Sequence, residues 1–174
     1  MKQPPCWPYY VGLACLFALL KLGYAHATSE GLLVLLAPTN YLVEVSLSST
    51  SVFSASSGFV HPSLHISINK SCSGFNFWVL CWLMLSVAVI HYRLRLWPML
   101  LMIPLVSYGL TLLVNTSRIL TAVWLRGVLP SAVQQYSWLH QAEGALLYLF
   151  FLVMIYLGFI LLHSGFPTRH AQSA

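Results

Sequence analysis

The amino-acid sequence predicts an all-α integral membrane protein, with residues 1–174 forming one membrane-embedded domain. Three observations support this: 59% of the residues are hydrophobic, only 6% are charged, and several apolar segments are long enough to cross a bilayer. Soluble domains carry about 25% charged residues, and a chain with so few charges cannot cover its surface in water. The lipid bilayer is therefore the expected solvent for most of this protein.

Four apolar segments form the predicted spans, because a helix needs about 20 mainly apolar residues to cross the hydrocarbon core. They cover approximately residues 9–27, 75–91, 97–114 and 142–163. Basic flanking residues concentrate on the cytoplasmic side of membrane proteins. With four spans and both termini in the cytoplasm, four basic residues lie on the cytoplasmic side: Lys2, Arg93, Arg95 and Arg169. The polar segments 28–74 and 115–141 then lie on the outer face.

The first span has a competing interpretation as a secretory signal peptide. Lys2, an apolar core at residues 11–20 and small residues at 25–27 form the three-part pattern of a cleaved signal. Lys21, directly after the core, argues against cleavage. Retention and cleavage leave the later spans unchanged.

The outer segment 28–74 begins with a predicted interfacial helix. Residues 31–45 are apolar, but Pro38, Asn40 and Glu44 interrupt them. A crossing here would reverse the sides of the later basic flanks, so we place this helix on the outer face.

A short β-hairpin is predicted next, before Cys72. Residues 65–69 alternate polar and apolar side chains, which is typical of a strand, and they are expected to pair with residues 58–60 across a turn at Pro62. The serine-rich residues 46–57 are expected to form a loop or a fraying helix end.

Four cysteines occur: Cys6, Cys15, Cys72 and Cys81. None belongs to a C-x-x-C pair, which argues against zinc and thioredoxin-like chemistry. Cys15 and Cys81 lie within apolar runs, where cysteine is typically a small packing residue. Polar residues surround Cys72, which separates it from the other three.

Cys72 stands in Ser-Cys-Ser-Gly, just before the second span. Unpaired N–H groups and the positive dipole end of a helix N-terminus favour the thiolate, which is the nucleophilic form. Gly74 permits close approach of backbone or substrate. The competing interpretation is an incidental thiol in a capped turn.

Asn115 and Arg118 stand at the predicted end of the third span. Residues three apart share a helix face, so both can point to one place. A guanidinium keeps its charge and offers a rigid fork of donors, which suits a substrate carbonyl or a developing oxyanion. The alternative is an arginine that only reaches lipid headgroups, a role that fits Arg126 better.

His140 opens the fourth span in His-Gln-Ala-Glu-Gly, residues 140–144. A neutral imidazole can take a proton from a thiol or give one to a leaving amine. Gly144 shares the face of His140 and leaves room for a neighbouring helix. Glu143 either orients the imidazole or caps the helix start, and the cap is the preferred interpretation. By itself, a histidine at an interface is most often structural.

These three groups lie on one side of the membrane and on three helices in the predicted topology. A nucleophile, an imidazole and a cationic oxyanion stabiliser are the components of acyl transfer. Their joint placement is more specific than any one motif.

The three motifs together resemble the exosortase/archaeosortase family. They are Cys-Ser-Gly at 72–74, Asn-Thr-Ser-Arg-Ile at 115–119 and His-Gln-Ala-Glu-Gly at 140–144. The family's Cys-Ser-Gly, Asn-x-x-Arg and His-x-x-x-Gly occur in this order. Its members are multi-pass bacterial or archaeal membrane proteins. The chain is shorter than many members and is similar to the short exosortase K group.

The resemblance implies a cysteine peptidase/transpeptidase of the bacterial cytoplasmic (inner) membrane, acting at the outer face without a cofactor. Cys72 would be the nucleophile, Arg118 the transition-state stabiliser and His140 the acid/base, supported by Gly74, Asn115 and Gly144. The implied substrates are secreted proteins with a C-terminal sorting signal. Such a signal has a motif such as Pro-Glu-Pro, a transmembrane helix and a basic tail.

Three other function classes fit the sequence less well. A membrane scaffold or transporter subunit would not need Cys72, Arg118 and His140 to converge. A metal site would use His61, His65, Cys72 and His140. His61 and His65 are four residues apart, which on a strand is about 13 Å and too far to hold one ion together. No metal is therefore expected. The net charge of +5 is scattered rather than forming a stripe, so no nucleic-acid partner is expected.

Overall fold

The computed structural model describes residues 7–92, 96–128 and 137–164, without the side chains of residues 96–100, 137–141, 163 and 164. This part of the chain contains five α-helices and three strands. The helices are α1 (Trp7–His26), α2 (Leu33–Leu47), α3 (Phe75–His91), α4 (Leu96–Val128) and α5 (Ser137–Ser164). The strands are β1 (Val52–Ser54), β2 (Gly58–His61) and β3 (Ile66–Ile68). Cys6 lies outside the described residues.

Five helical segments of the described chain are long and apolar enough to cross a membrane. They are Trp7–His26, Glu30–Leu47, Lys70–His91, Leu101–Val128 and Ala142–Leu162. The predicted all-α membrane fold is confirmed. Four segments correspond to the predicted spans, and the fifth contains α2, whose interfacial placement stays a prediction. Tyr108 of α4 donates a hydrogen bond to the Val34 carbonyl at 2.6 Å, so α2 packs on the helix bundle.

Helix α4 continues to Val128 instead of ending near residue 114, where the sequence analysis placed the end of the span. Several of its hydroxyl side chains bond to the preceding turn of the same helix. Ser117 Oγ donates to the Leu113 carbonyl at 2.9 Å, and Thr121 Oγ1 donates to the Ser117 carbonyl at 2.8 Å. Such bonds to the preceding turn let hydroxyl residues stay helical. Residues 115–128, which were predicted to follow the third span, are therefore helical.

The three strands form one antiparallel sheet in the order β1-β2-β3. Phe59 pairs with Ile68, and His61 pairs with Ile66 across the turn that contains Pro62, which confirms the predicted hairpin. Strand β1 was not predicted, and it pairs with β2 through Val52 and Val60. Strand β3 pairs only with β2 among the described residues, so it forms one edge of the sheet.

A buried polar cluster fastens the sheet to α2. His61 is fully buried; its Nε2 lies 2.8 Å from Asn40 Oδ1, and its Nδ1 lies 3.1 Å from Ser49 Oγ. Asn40 Nδ2 donates to Ser51 Oγ, and Ser51 donates to the Glu44 carboxylate from both N and Oγ. The polar residues that interrupt the apolar run of α2 are thus the partners of the sheet.

The core is centred on α3, which packs against α1, α4 and α5. Phe77, Val79 and Cys81 on this helix have exposures of 1% or less. Cys81 therefore packs inside the bundle, whereas Cys15 is exposed on α1. Many leucines of α1 and α5 are exposed on the outside of the bundle, as expected for surfaces that face lipid.

Stability is expected to fall in mild acid because of His61. Burial lowers the pKa of His61 below its ordinary value of 6.5, and the charge of Glu44 only partly opposes this. As the pH falls below 6.5, the imidazole of His61 therefore binds a proton more readily in the unfolded chain than in the folded chain. The stability that neutral His61 contributes is present above pH 6.5 and is lost as the pH falls through the folded-state pKa.

Thermal unfolding in detergent should show a midpoint that drops by a few degrees between pH 6.5 and about pH 5. The His61→Gln variant should lose this pH dependence, and the matched His26→Gln variant, altered at an exposed histidine of α1, should keep it. An unchanged pH slope in His61→Gln would contradict the assignment.

Candidate active site

Cys72 ends a short 3-10 turn, Lys70–Cys72, that joins β3 to α3. The side chain of Asn69 holds this turn, because its Oδ1 accepts from Ser71 N at 3.1 Å and from Ser71 Oγ at 2.7 Å. The Cys72 N–H donates to the Asn69 carbonyl at 2.8 Å. Cys72 itself is half-buried. The thiol therefore has a fixed backbone and a side chain that remains partly accessible.

The C-terminal end of α1 supports the same turn. Tyr24 donates to the Lys70 carbonyl at 2.9 Å, and Lys70 Nζ donates to the Ala25 carbonyl at 3.0 Å. The Tyr24 ring stacks on Phe75 with a centroid distance of 4.4 Å. These contacts tie the end of α1 to the turn that carries Cys72, and the retention or cleavage of α1 stays a prediction.

Gly74 lets the start of α3 lie directly against α4. Its φ of +71° is in the left-handed region, which favours glycine. A Cβ atom at this position would lie 3.0 Å from both Asn115 Cγ and Thr111 Cγ2. The close approach expected of this glycine is thus an approach to helix α4.

Asn115 joins the Cys72 backbone to α5. The side chain is fully buried, and its Nδ2 donates to the Cys72 carbonyl at 2.7 Å. Its Oδ1 accepts a hydrogen bond from the Tyr148 hydroxyl at 2.7 Å. Both ends of the amide are therefore used, each by a different element.

Arg118 lies one turn further along α4 and is half-buried. Its Nη1 donates to the Tyr148 hydroxyl at 3.1 Å, and its Cζ lies 5.2 Å from the Tyr148 ring centroid. Its Nε is buried and has no hydrogen-bond partner among the described residues. A Cβ at Gly144 would lie 2.5 Å from this Nε, so the glycine of α5 makes the space that the guanidinium occupies.

Tyr148 is a site residue that the sequence analysis missed. Its hydroxyl is the centre of a chain of hydrogen bonds from Arg118, through Tyr148 and Asn115, to the Cys72 carbonyl. The available signal was its spacing, because residue 148 follows Gly144 by four and therefore shares its helix face. The first two motifs and the helix of the third are joined through this hydroxyl.

His140 lies in the first turn of α5, one turn before Gly144. Its side chain lies outside the described residues, so the expected convergence of His140 with Cys72 stays a prediction. Helical periodicity places His140, Gly144 and Tyr148 on broadly the same face of α5.

A cavity of about 180 Å³ contains both Cys72 and Arg118 in its lining. One wall is β3 with the preceding residue, and the other is a face of α4. The further lining residues are His65, Ile66, Ser67, Ile68, Ile119, Ala122, Val123 and Arg126. The thiol and the guanidinium thus share one accessible space.

No group of three or more possible metal ligands occurs among residues with described side chains. His61, one of the ligands weighed for a metal site, is instead bonded within the cluster that fastens the sheet to α2. His65 lines the cavity at the far end of the hairpin turn.

These features define a multi-pass membrane protein with a thiol, a guanidinium and a buried amide in one site. Residues 13–157, well over half of the chain, match the family model described as Transmembrane exosortase (Exosortase_EpsH). The chain therefore belongs to the exosortase family, as the three motifs indicated. Family membership assigns it, in general terms, to the membrane-embedded transpeptidases of protein sorting. No curated protein and no solved structure matches the chain significantly.

The bonds centred on Tyr148 should show energetic coupling. Tyr148→Phe and Asn115→Ala each remove part of the same buried network, so their effects on the free energy of unfolding should not add. We expect a coupling of about 1 kcal/mol in a double-mutant cycle, measured by denaturation in detergent micelles. A matched pair, Tyr148→Phe with Ser46→Ala at an exposed site of α2, should be additive, and additivity in the first pair would contradict the network.

Proposed function

We propose that this protein is a membrane-embedded cysteine endopeptidase/transpeptidase that cleaves C-terminal sorting signals of secreted proteins. Cys72 is the nucleophile, Arg118 stabilises the oxyanion and His140 is the general acid and base. The observation that carries the proposal is the shared cavity of Cys72 and Arg118, together with the hydrogen-bond chain that fixes both to α5. Gly74, Asn115 and Gly144 position these groups.

The reaction proceeds through a thioester. The Cys72 thiolate attacks the scissile carbonyl carbon, forming a C–S bond while the carbonyl oxygen becomes an oxyanion that Arg118 binds. Collapse of this intermediate breaks the C–N bond, and the leaving amine takes a proton from His140. Water or an acceptor amine then attacks the thioester, His140 takes a proton from that nucleophile, and the Cys72 thiolate is released.

Arg118 has the donors that an oxyanion requires. A guanidinium has five N–H donors in a fixed plane, and Tyr148 accepts from only one nitrogen, Nη1. The remaining donors belong to a residue that lines the cavity with Cys72. A charge that is already oriented by Tyr148 and Gly144 needs little rearrangement as the oxyanion forms.

The orientation that we propose places Cys72 on the outer face of the cytoplasmic membrane. Cys72 precedes α3, and the link that carries Arg93 and Arg95 follows it, so the two lie on opposite sides if α3 crosses. Basic links prefer the cytoplasmic side, which leaves Cys72 outside. With the link of Arg93 and Arg95 fixed on the cytoplasmic side, a crossing of α2 would instead move the N-terminus with Lys2 to the outside. Placement of α2 on the outer face keeps both basic flanks in the cytoplasm.

A sorting signal suits such a site. A motif followed by a transmembrane helix and a basic tail would be held by the bilayer with its cleavage site at the outer boundary. The alternative of a scaffold or transporter subunit gives no reason for Cys72 and Arg118 to line one cavity, so we favour the enzyme.

Cleavage should depend on all three proposed catalytic residues. The assay is co-expression with a reporter protein ending in Pro-Glu-Pro, an apolar helix and an arginine tail, followed by immunoblotting and mass spectrometry. Cys72→Ala should abolish cleavage, and Arg118→Lys should slow it by about 10²-fold or more, because the charge stays but the fork of donors is lost. His140→Ala should also abolish cleavage, because the leaving amine then lacks its proton donor. Cys15→Ala is the matched thiol control, and unimpaired cleavage by Cys72→Ala would refute the proposal.

Gly144→Ala should inactivate the protein while leaving its fold intact. The added methyl group would occupy the place of Arg118 Nε, so the guanidinium must move. Gly158→Ala in the same helix is the control, because a Cβ there meets nothing within 4 Å. We expect a loss of reporter cleavage of at least about tenfold for Gly144→Ala alone, with both variants keeping the helical circular-dichroism spectrum of the unaltered protein. Equal cleavage rates would show that the fit between Gly144 and Arg118 is unimportant.

A further inference from the structure

The wall of the cavity opposite α4 is the edge of a β-sheet. Four consecutive residues, 65–68, border this one cavity. Successive side chains of a strand point to opposite faces of the sheet. A single space bordered by all four therefore runs along the edge of β3 rather than over one of its faces.

Strand β3 has β2 as its only strand partner in the described part of the chain. An edge strand presents N–H and C=O groups that an added strand can pair with. One group near this edge is already bonded from the α4 side, since Arg126 Nη1 donates to the His65 carbonyl at 3.5 Å. Ser67, in the middle of β3, is exposed.

The other wall of the cavity is one face of α4. Arg118, Ala122 and Arg126 recur every four residues, as a single helical face requires. Two guanidinium groups thus border the space, and among the described residues no aspartate or glutamate lines it. The cavity thus offers guanidinium donors and the edge of a strand that has no second strand partner among the described residues. These groups complement the carbonyl oxygens and alternating amides of an extended peptide.

We propose that the edge of β3 binds the extended segment of the substrate as an additional β-strand, which leads the scissile carbonyl to Cys72. This inference rests on the proposed function for the identity of the peptide. Addition of a strand to a sheet edge is a general mode of peptide recognition, in which main-chain bonds supply affinity. Strand β3 leads through Asn69 directly into the turn that ends in Cys72. A peptide paired with β3 therefore lies beside the residues that precede the thiol.

Main-chain pairing has a signature that side-chain recognition lacks. Only every second amide of an added strand faces its neighbour. N-methylation of these amides removes a donor that pairs with β3, whereas N-methylation of the intervening ones removes a donor that points away from β3. The sensitivity to methylation should therefore alternate along the bound segment.

The test uses the full-length Cys72→Ala variant in lipid nanodiscs and a synthetic fluorescent peptide with Pro-Glu-Pro, an apolar helix and an arginine tail. Each non-proline amide of the segment before the helix is N-methylated in turn, and affinity is measured by fluorescence anisotropy against empty nanodiscs. We expect about tenfold weaker binding at alternate positions and little change between them. Uniform sensitivity, complete insensitivity or no binding of the unmethylated peptide would each overturn the inference.

A second measurement locates the peptide on the sheet. A diazirine amino acid in place of Ser67 should crosslink the peptide, and the same group in place of Phe53, exposed on the opposite edge strand β1, should not. Crosslinks from position 67 to lipid alone would show that Arg118 and Arg126 bind lipid headgroups in this cavity. That result would also overturn the inference. Cleavage of the same peptide by the unaltered protein tests the proposed function separately, because binding by Cys72→Ala needs no chemistry.

Discussion

The arrangement of the site depends on one buried side chain, the amide of Asn115. A buried amide is stable only when its donor and acceptor are both bonded. Here the donor holds the Cys72 carbonyl and the acceptor holds the Tyr148 hydroxyl. Because a lost partner leaves a polar group buried and unpaired, such a network tolerates little displacement. The amide of Asn115 therefore fixes three parts of the chain relative to one another: the turn before α3, the middle of α4 and the Tyr148 region of α5.

Two glycines make that geometry possible. Gly74 brings the start of α3 to within contact of Asn115, and Gly144 provides the volume that the Arg118 guanidinium fills. Polar bonds inside an apolar bundle require such close approach, since a methyl group in either place would separate the partners. The sheet is held by a separate buried cluster around His61, so the two walls of the cavity have independent supports.

The apolar spans and the hairpin were predictable because each depends on a local pattern of side chains. Tyr148 was not, since it stands in an apolar run and its partner Asn115 lies 33 residues earlier in the chain. Asn40 and Glu44 looked like interruptions for a similar reason, because their partners belong to the following sheet segment. The extension of α4 was missed because its polar residues have the composition of a helix end. Of the candidate site, the motif residues were identifiable from sequence, but the bonds that join them were not.

The length of α4 has a consequence for where the site stands in the membrane. Its candidate span of 28 residues is about 42 Å long, against about 30 Å of hydrocarbon. The excess must be met by tilt, by local thickening of the bilayer or by emergence into the headgroup region. Trp124 near its end is 65% exposed, as suits an anchor at the interface. Under the proposed function, the thickness of the bilayer therefore sets the distance along the substrate between its transmembrane helix and the peptide bond that reaches Cys72.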